Sequence, residues 1–383
     1  MEATSNLYRG RISAFLAQKA RIMHFPYSGT LELTPRCNMN CKMCYIRMTE
    51  QEMVHVGQEL PADEWIRIAQ EAVDLGMCVV LFTGGEAILY KDFKKVYLAV
   101  RKMGLFVGIN SNGTLLCGEW LEFFRQNPPG KFNITLYGGS NETYQRLCGN
   151  PKGFDQVKAN IEALLAIGIH VSLSCTITRE NTDDIDAIFA FAREHDLHVT
   201  ATTYNFPPVR KEGVKINEIS RMDPKTAARA RIHLDWVDSS RENFVRRISH
   251  IADHPELAEP SENHCVDLEG DSILCAAGRS NFWVTWDGRV LPCGMIPDFS
   301  VPVRGRSFKA AWDAVVAHTA TIHLAPECRD CPKKKLCAPC AAKLKSETGA
   351  YHKRSEYLCQ YVDEYIRLAH EAKRYLEHAE ENR

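Results

Sequence analysis

Short runs of β-branched and apolar residues alternate with helical patterns from residue 30 of the chain onward. The predicted strands are Leu31–Thr34, Cys78–Thr83, Leu105–Asn110, Phe132–Tyr137, His170–Thr178 and His198–Tyr204. The helical patterns between them include Ala62–Leu75, Phe93–Met103, Phe154–Ile167 and Asp183–His195. The first three of these helices stop at a glycine, and the last begins at an acidic cap. Strand alternating with helix six times indicates an α/β fold with a parallel sheet and helices outside it.

The pattern changes after Tyr204, where Phe206-Pro207-Pro208 interrupts the periodicity. Helices are predicted near residues 224–238 and 241–251, and a hairpin is predicted around Asp287-Gly288. An amphipathic helix is predicted over Tyr361–Arg383. We therefore expect an N-terminal helix with an extended lead-in (1–29), a barrel (30–205), a helical connector (206–262), a cysteine-rich domain (263–360) and a C-terminal helix (361–383).

The composition excludes several classes of protein. The 383 residues are 45% hydrophobic and 25% charged, and the net charge of -1 gives no basic field of the kind that nucleic-acid binding uses. No stretch reaches the length of a membrane span, and the apolar run near Ile12 is too short and too polar for a signal peptide. We expect a cytoplasmic protein with neither nucleic acid nor membrane as a partner. Its 15 cysteines are an unusual load for that compartment, where disulfides are rare.

Three of these cysteines, Cys37, Cys41 and Cys44, are spaced as C-x3-C-x2-C directly after the first predicted strand. Asn38 and Asn40 favour a loop, so that the three thiolates can converge. Three ligands suit neither a closed tetrahedral zinc site nor a disulfide pair. They do suit a [4Fe–4S] cluster with one open iron, at which chemistry can take place. The alternatives are three buried cysteines that are neighbours by chance and a zinc loop that borrows a fourth ligand.

Polar or glycine-rich sequence also follows the next three strands. Thr83-Gly84-Gly85-Glu86 follows the second strand, Ser111-Asn112-Gly113 follows the third, and Thr135–Gly139 closes the fourth. Catalytic groups of such barrels lie just after the carboxyl ends of the strands. These loops and the three-cysteine loop therefore locate one active site on one face of the sheet.

Together these features resemble the radical S-adenosylmethionine (SAM) enzymes, whose signature is the C-x3-C-x2-C spacing. The resemblance implies a partial (β/α)6 TIM-type barrel in which a [4Fe–4S] cluster binds SAM and reductively cleaves it to a 5′-deoxyadenosyl radical. The residues that the resemblance assigns to SAM are Met43, Gly84, Gly85, Glu86, Ser111, Asn112, Thr135 and Arg146. Arg146 is equally typical of a solvated helix charge, and Asn112-Gly113 of a plain turn.

A second group of cysteines lies in the last third of the chain. Its spacing resembles the SPASM domain, a small C-terminal extension of many radical SAM enzymes, although two residues separate Cys337 from Cys340 where that family usually has three. The resemblance implies two auxiliary [4Fe–4S] clusters. Cys328, Cys331, Cys337 and Cys359 would hold the distal one, and Cys275, Cys293 and Cys340 the nearer one, with Cys265 as a candidate fourth ligand. Structural zinc is the alternative, because C-x2-C pairs are common zinc ligands.

The resemblance implies a radical SAM oxidoreductase, and our first hypothesis for its role is maturation of a ribosomally made peptide by an oxidative crosslink, a thioether or a related modification. One alternative is a dehydrogenase or rearrangement enzyme for a small metabolite of the aminoglycoside or tetrapyrrole type. Another is a non-catalytic iron–sulfur electron carrier. Sulfatase maturation is disfavoured, because Gly294 follows Cys293 where those enzymes usually carry an aspartate base.

The expected partners follow from the same hypothesis. An enzyme of this kind needs an external electron donor of the flavodoxin or ferredoxin type. Residues 1–29 leave no room for a fused leader-peptide recognition domain, so we expect any such module to be a separate protein. We expect the peptide to lie across the open top of the barrel, with the second cysteine domain beside that face. Cys148 and Cys175 are candidate hydrogen donors, although packing is the commoner role of such thiols.

Overall fold

A nine-stranded sheet forms the centre of the molecule. The computed structural model describes residues 2–208, 210, 214, 218–256, 273 and 275–381. The strands are β1 (Ser28–Glu32), β2 (Val79–Thr83), β3 (Phe106–Ser111), β4 (Lys131–Thr135), β5 (Val171–Thr176), β6 (Val199–Thr202), β7 (Asn281–Val284), β8 (Arg289–Leu291) and β9 (Val301–Pro302).

The helices cover most of the remaining described chain. They are α1 (Glu2–Met23), α2 (Glu50–Val56), α3 (Ala62–Asp74), α4 (Phe93–Lys102), α5 (Glu119–Gln126), α6 (Asn141–Cys148), α7 (Gly153–Ala166), α8 (Ile185–Glu194), α9 (Pro224–Val237), α10 (Arg241–Asp253), α11 (Phe308–Thr319), α12 (Pro326–Arg329), α13 (Lys334–Cys337), α14 (Ala341–Thr348) and α15 (Glu356–Glu381). None of the helices in the described part of the chain combines the length and the apolar character that crossing a bilayer requires.

The strand order is β6-β5-β4-β3-β2-β1-β7-β8-β9. Strands β1 to β6 are parallel neighbours, as expected for a partial barrel of six β/α units. Strand β7 then pairs in parallel with the free side of β1, with Thr30 opposite Trp283. Strands β8 and β9 add antiparallel pairs. The predicted hairpin is therefore confirmed, and it extends the same sheet rather than standing apart from it.

The two faces of the six-stranded part differ in chemistry because successive residues of a strand point to opposite sides. On the convex face Phe82 contacts Phe93 of α4, with ring centroids 5.9 Å apart. On the same face Phe132 contacts Phe124 of α5 at 4.9 Å. These rings belong to the main hydrophobic core between the sheet and the helices. The alternate residues line the concave face, which we call the lumen.

Hydroxyl and amide side chains line the lumen and are joined across neighbouring strands. Asn133 Nδ2 donates to Asn110 Oδ1 at 3.1 Å, and Ser172 Oγ donates to Asn133 Oδ1 at 2.7 Å. The Thr135 and Ser174 hydroxyls are 3.3 Å apart. These residues stand opposite one another in the strand register. The lumen wall is thus polar over β3 to β5, unlike the filled apolar interior of a complete barrel, whereas Val79 and Leu81 of β2 face the lumen with apolar side chains.

The structure contains helices that the hydrophobic pattern did not predict. Helix α2 has no buried residue and so shows no apolar stripe. Helix α11 follows β9 and packs by Phe308 and Trp312 against Phe282 of β7. The C-terminal helix begins at Glu356, five residues earlier than predicted from Tyr361. The predicted strand His170–Thr178 is shorter in the structure, because the turn at Thr178–Asn181 follows it.

The segment after β6 packs against α14 and α15. Tyr204 donates its hydroxyl to Glu347 Oε1 at 2.5 Å. Arg221 forms an ion pair with Glu347, and its guanidinium lies 3.8 Å from the centre of the Tyr357 ring. The Thr203 and Tyr361 hydroxyls are 3.1 Å apart. The C-terminal region therefore contacts the partial barrel at both of its open edges, through β7 at one and through α14 and α15 at the other.

Replacing Glu347 with alanine should destabilise the protein by about 3–5 kcal/mol, because Arg221 would then be a buried charge without its partner. The two side chains are only 5% and 9% exposed. The matched control is Asp313→Ala, which removes the partner of Lys309 in an exposed ion pair and should cost less than about 1 kcal/mol. Chemical unfolding of the purified variants measures both values, and equal losses would contradict this account of the Arg221 contact.

Candidate active site

The three-cysteine loop is held by the carboxyl end of α6. The backbone N–H of Asn40 donates to the Cys148 carbonyl at 2.9 Å, and that of Lys42 donates to the Leu147 carbonyl at 3.0 Å. The last carbonyls of a helix have no partner within the helix, so they are available to a neighbouring loop. The thiols of Cys37 and Cys44 accept backbone N–H groups of Met39 and Arg47 at 3.4 and 3.2 Å. The loop conformation is thus fixed by the protein.

The glycines after β2 allow two backbone segments to touch. A Cβ on Gly84 would lie 2.4 Å from the Thr34 carbonyl oxygen, and one on Gly85 would lie 2.4 Å from that of Arg36. The Gly85 N–H donates to Thr34 O, and the Glu86 N–H donates to Arg36 O, both at 2.8 Å. The Gly-Gly-Glu motif therefore holds the segment that leads into Cys37. Its role as a receptor for the SAM amino group stays a prediction.

Glu86 points into the loop after β3. Its carboxylate accepts the Ser111 hydroxyl at 3.1 Å and the Asn112 N–H at 2.8 Å. Asn112 Nδ2 in turn donates to Asn38 Oδ1 at 2.9 Å and lies 3.6 Å from Cys37 Sγ. Asn38 Nδ2 donates to the Thr114 hydroxyl at 2.8 Å. Ser111 and Asn112, both predicted SAM contacts, thus join the loop after β3 to the cysteine loop.

Burial dominates the electrostatics of this region. It raises the pKa of Glu86 to about 7, although the Asn112 and Ser111 donors oppose the rise. Burial also raises the pKa of the Cys37 thiol to about 12, with the nearby charges of Glu86, Cys41 and Cys44 adding to it. At Cys41 a hydrogen bond from the Cys148 thiol outweighs burial, and the pKa is lowered. The three thiols therefore lie close enough to affect one another.

The remaining predicted SAM contacts lie around this loop. Thr135 contacts Ser174 in the lumen. Met43 is half-buried and packs against the main core. Arg146 Nη2 donates to the Thr143 hydroxyl at 3.0 Å and to the Glu180 carbonyl at 3.1 Å, and Lys42 forms an ion pair with Glu180 at 3.1 Å. Lys42, Arg146 and Arg179 share a cavity of about 770 Å³ with the carboxylates of Glu180, Asp183 and Glu218. Of these cations, Lys42 and Arg146 stand next to the cysteine loop, where a bound carboxylate would require positive charge.

The two candidate hydrogen-donor thiols occupy different places. Cys148 is buried at the end of α6, directly against the Cys41 thiol. Cys175 is buried on β5 and shares the convex face with Val171 and Leu173. Neither thiol lines the lumen. Hydrogen donation by either one stays a prediction.

The second cysteine group falls into two sets in space. The pKa of the Cys293 thiol is raised to about 12 by burial and by the neighbouring thiols of Cys340 and Cys275. The pKa of Cys337 is likewise raised to about 12 by burial, with Cys328, Cys359 and Cys331 as further neighbours. The structure thus brings together the two ligand sets that the sequence spacing implies. Cys265 lies outside the described residues.

The strand directions place the nearer set at the far end of the lumen. Cys275 precedes β7, and Cys293 follows β8, which runs back antiparallel to β7. Both thiols therefore lie at the amino-terminal edge of β1, whereas Cys37 follows its carboxyl-terminal edge. The expectation that this domain packs beside the top of the barrel is wrong for these two cysteines. The lumen runs between the three-cysteine loop and Cys293.

The chemistry of the donors decides which groups the sites fit. Among the described residues, no three His, Cys, Asp or Glu side chains are arranged to hold a single metal ion. The triad and both C-terminal sets consist of thiols, the soft ligands that iron–sulfur clusters use. No carboxylate or imidazole stands among these ligands. The residues present therefore fit iron–sulfur clusters.

Sequence reasoning missed a group of three side chains in the lumen. Glu32, the last residue of β1, accepts Arg210 Nη1 and Nη2 at 2.7 and 2.8 Å and Trp283 Nε1 at 2.7 Å. Its carboxylate is fully buried, and the Arg210 side chain is 9% exposed. The partners lie 178 and 251 residues away along the chain. The sequence did contain one signal for this group, because Glu32 is a charged residue between Leu31 and Leu33, just before the cysteine triad.

The fold and the site define an enzyme class in which a partial α/β barrel carries a thiolate-bound cluster at the carboxyl ends of its strands. Residues 31–192 match the family model of the radical SAM superfamily. Residues 31–192 are therefore a radical SAM domain, the fold of enzymes that bind SAM and a [4Fe–4S] cluster, and a cysteine-rich C-terminal region follows it.

Three relatives illustrate the range of similar proteins. The AdoMet-dependent heme synthase of Methanosarcina barkeri is 26% identical over 339 residues, which cover 85% of this chain and 94% of that protein. The sporulation killing factor maturation protein SkfB of Bacillus subtilis is 24% identical over 280 residues, covering 70% and 60%. The structure of Streptococcus suis SuiB bound to the precursor peptide SuiA aligns with a TM-score of 0.64 at 16% identity, covering 93% and 81%.

Gly85→Ala should lower the iron content of the three-cysteine site and weaken SAM binding. The added methyl group would collide with backbone oxygens of Pro35 and Arg36, at 2.6 and 2.4 Å, and displace the segment before Cys37. Gly104→Ala is the control, because it meets no atom within 4 Å and introduces only backbone strain. Iron analysis and SAM titration after anaerobic reconstitution measure the effect. Full iron occupancy in Gly85→Ala would show that this backbone contact is dispensable.

Glu86→Gln should change how stability depends on pH. The folded carboxyl group, with its pKa of about 7, retains a proton that the unfolded group releases near its ordinary value of 4.5. Folding therefore takes up a proton between these values, and this contribution to stability falls as pH rises, by about 3 kcal/mol in all. The stability of the wild type relative to Glu86→Gln should thus decline from pH 4.5 to 8. A difference that is constant over this range in anaerobic urea unfolding would contradict the shift.

Proposed function

We propose that this enzyme reductively cleaves SAM at a [4Fe–4S] cluster held by Cys37, Cys41 and Cys44 and uses the resulting radical to mature a ribosomally made peptide. The modification we propose is oxidative, such as a crosslink or a thioether. When bound there, a [4Fe–4S] cluster would supply the electron that splits SAM. The protein's own residues hold the cysteine loop through Asn112 and Glu86, and Arg146 with Lys42 offers the cations for the SAM carboxylate.

The polar lumen is the observation that supports a peptide. Its wall presents amide and hydroxyl groups from three neighbouring strands, including Asn110, Asn133 and Ser172. A peptide main chain offers both donors and acceptors to such a wall. A site for a large apolar ring is lined mainly by apolar and aromatic side chains instead. The peptide-bound SuiB structure and the SkfB relative agree with this choice.

Two auxiliary clusters complete the proposal. Cys275, Cys293 and Cys340 would hold the nearer cluster at the amino-terminal end of the lumen, and Cys328, Cys331, Cys337 and Cys359 the distal one. A fully loaded chain would then contain about 12 iron atoms, four for each of three clusters. We place the substrate within the lumen between the two ends. An external flavodoxin or ferredoxin, a separate leader-binding protein and a cytoplasmic location stay predictions.

A tetrapyrrole is the second candidate substrate. The heme synthase of Methanosarcina barkeri aligns with 85% of this chain. The carboxylates of such a substrate would need cations, and the cavity beside the cysteine loop offers Lys42, Arg146 and Arg179, although Glu180, Asp183 and Glu218 line it as well. This candidate predicts turnover of an iron porphyrin without any peptide.

The reconstituted enzyme should form 5′-deoxyadenosine from SAM and dithionite under anaerobic conditions, and replacing Cys37, Cys41 and Cys44 with alanine should abolish it. Incubation with deuterated precursor peptides encoded beside the gene should move deuterium into 5′-deoxyadenosine. Mass spectrometry should find the peptide lighter by two hydrogens after a crosslink. Label transfer from an iron porphyrin but from no peptide would reject the peptide proposal. If the protein cleaves no SAM, the alternative of a non-catalytic iron–sulfur electron carrier is the one that remains.

A further inference from the structure

Glu32 presents a fully buried carboxylate on the lumen side of β1, where Arg210 and Trp283 cover it. Glu32 ends β1, and its neighbour Leu31 faces the convex side beside Phe82, so the Glu32 side chain points into the lumen. A carboxylate has about four acceptor positions. Arg210 and Trp283 take three of them, one at Oε1 and two at Oε2. Among the described residues only Arg210 donates to Oε1, which leaves a position there for one more group.

The indole of Trp283 links Glu32 to the cysteine at the opposite end of the lumen. A Cβ on Gly294, the residue after Cys293, would lie 2.9 Å from the Trp283 ring. An aspartate at position 294, where sulfatase-maturing enzymes usually carry their base, would therefore collide with this ring. The N–H of the same indole donates to Glu32. The ring lies against Gly294, and a carboxylate from β1 is hydrogen-bonded to it.

Oxidative modification of a peptide requires a group that accepts a proton. The substrate loses one hydrogen atom to the 5′-deoxyadenosyl radical, which breaks a C–H bond. The carbon radical then bonds to a second atom of the peptide. That atom loses its proton, and one electron passes to an iron–sulfur acceptor. Two hydrogens and two electrons leave in total, and one bond forms between the two substrate atoms.

We propose that Glu32 is the catalytic base that receives this proton. The assignment rests on the proposed oxidative function. Four buried residues among those described carry carboxylates: Glu32, Glu86, Asp235 and Glu364. Glu86 is bound by the loop after β3, and Asp235 and Glu364 belong to α9 and α15, outside the lumen. Glu32 is the one that combines burial with a place on the lumen wall.

Glu32→Gln tests the proposal, because it keeps the size of the side chain and removes the basic oxygen. The variant should still cleave SAM and still take deuterium from the labelled precursor peptide into 5′-deoxyadenosine. Product should form about 10²-fold more slowly, as expected for loss of a general base. Glu32→Asp should recover part of the product. The thermal stability and iron content of each variant are measured alongside. A further variant, Trp283→Phe, removes the indole N–H that donates to Glu32.

Glu347→Gln is the matched control, because Glu347 is also a carboxylate bound by an arginine and a neighbouring hydroxyl, yet lies outside the lumen. It should lower stability and leave the ratio of product to 5′-deoxyadenosine unchanged.

If Glu32→Gln loses label transfer and product in parallel, or changes neither, Glu32 is a structural contact and the proposal is wrong. If Glu32→Gln does not fold, the ratio in Glu32→Asp decides, and an unchanged ratio overturns the proposal. If only an iron porphyrin transfers label, the peptide proposal is rejected. The ratio of product to 5′-deoxyadenosine, measured with the porphyrin, then tests Glu32.

Discussion

The parallel pairing of β1 with β7 is the contact on which the arrangement of the site depends. It aligns Ser28 with Asn281 and Leu31 with Val284, so the C-terminal region is in register with the first strand of the barrel. Because both strands run in the same direction, the residues before β7 lie at the amino-terminal edge of β1. The cysteine triad follows the carboxyl-terminal edge of β1. One strand therefore sets the distance between two groups of thiols that are far apart along the chain.

Much of the barrel could be predicted from the sequence, because its strands are short apolar runs that glycine and acidic caps separate from helices. The boundaries of β2, β3 and β6 differ from the predicted ones by a few residues at most. Helix α2 could not be predicted by periodicity, because its stability comes from a capping box at Thr49 and Glu52 and not from a buried face. The position of Cys293 could not be predicted either, since it depends on a pairing between strands about 250 residues apart.

The site shows the same division between local and distant information. Cysteine spacing and the Gly-Gly-Glu motif are local, and both mark loops that the structure brings into contact. What these residues do depends on their neighbours in space. Gly84 and Gly85 allow backbone contact with Thr34 and Arg36, which the sequence does not show. Glu32 reads in the sequence as an ordinary polar residue of a strand, and only the fold reveals its bond to Arg210.

The late position of β7 in the chain also affects how the protein is made. Until residue 284 has emerged from the ribosome, β1 is an edge strand with a row of unpaired backbone groups. About 250 residues separate the two strands, and synthesis at about 5–20 residues per second takes roughly 10–50 s to cover them. During that time the Cys37 loop can form on α6 while the neighbouring edge of the sheet stays uncovered. Newly made chains therefore pass through a period in which the first six strands exist with one edge uncovered, and that edge is open to pairing with another chain.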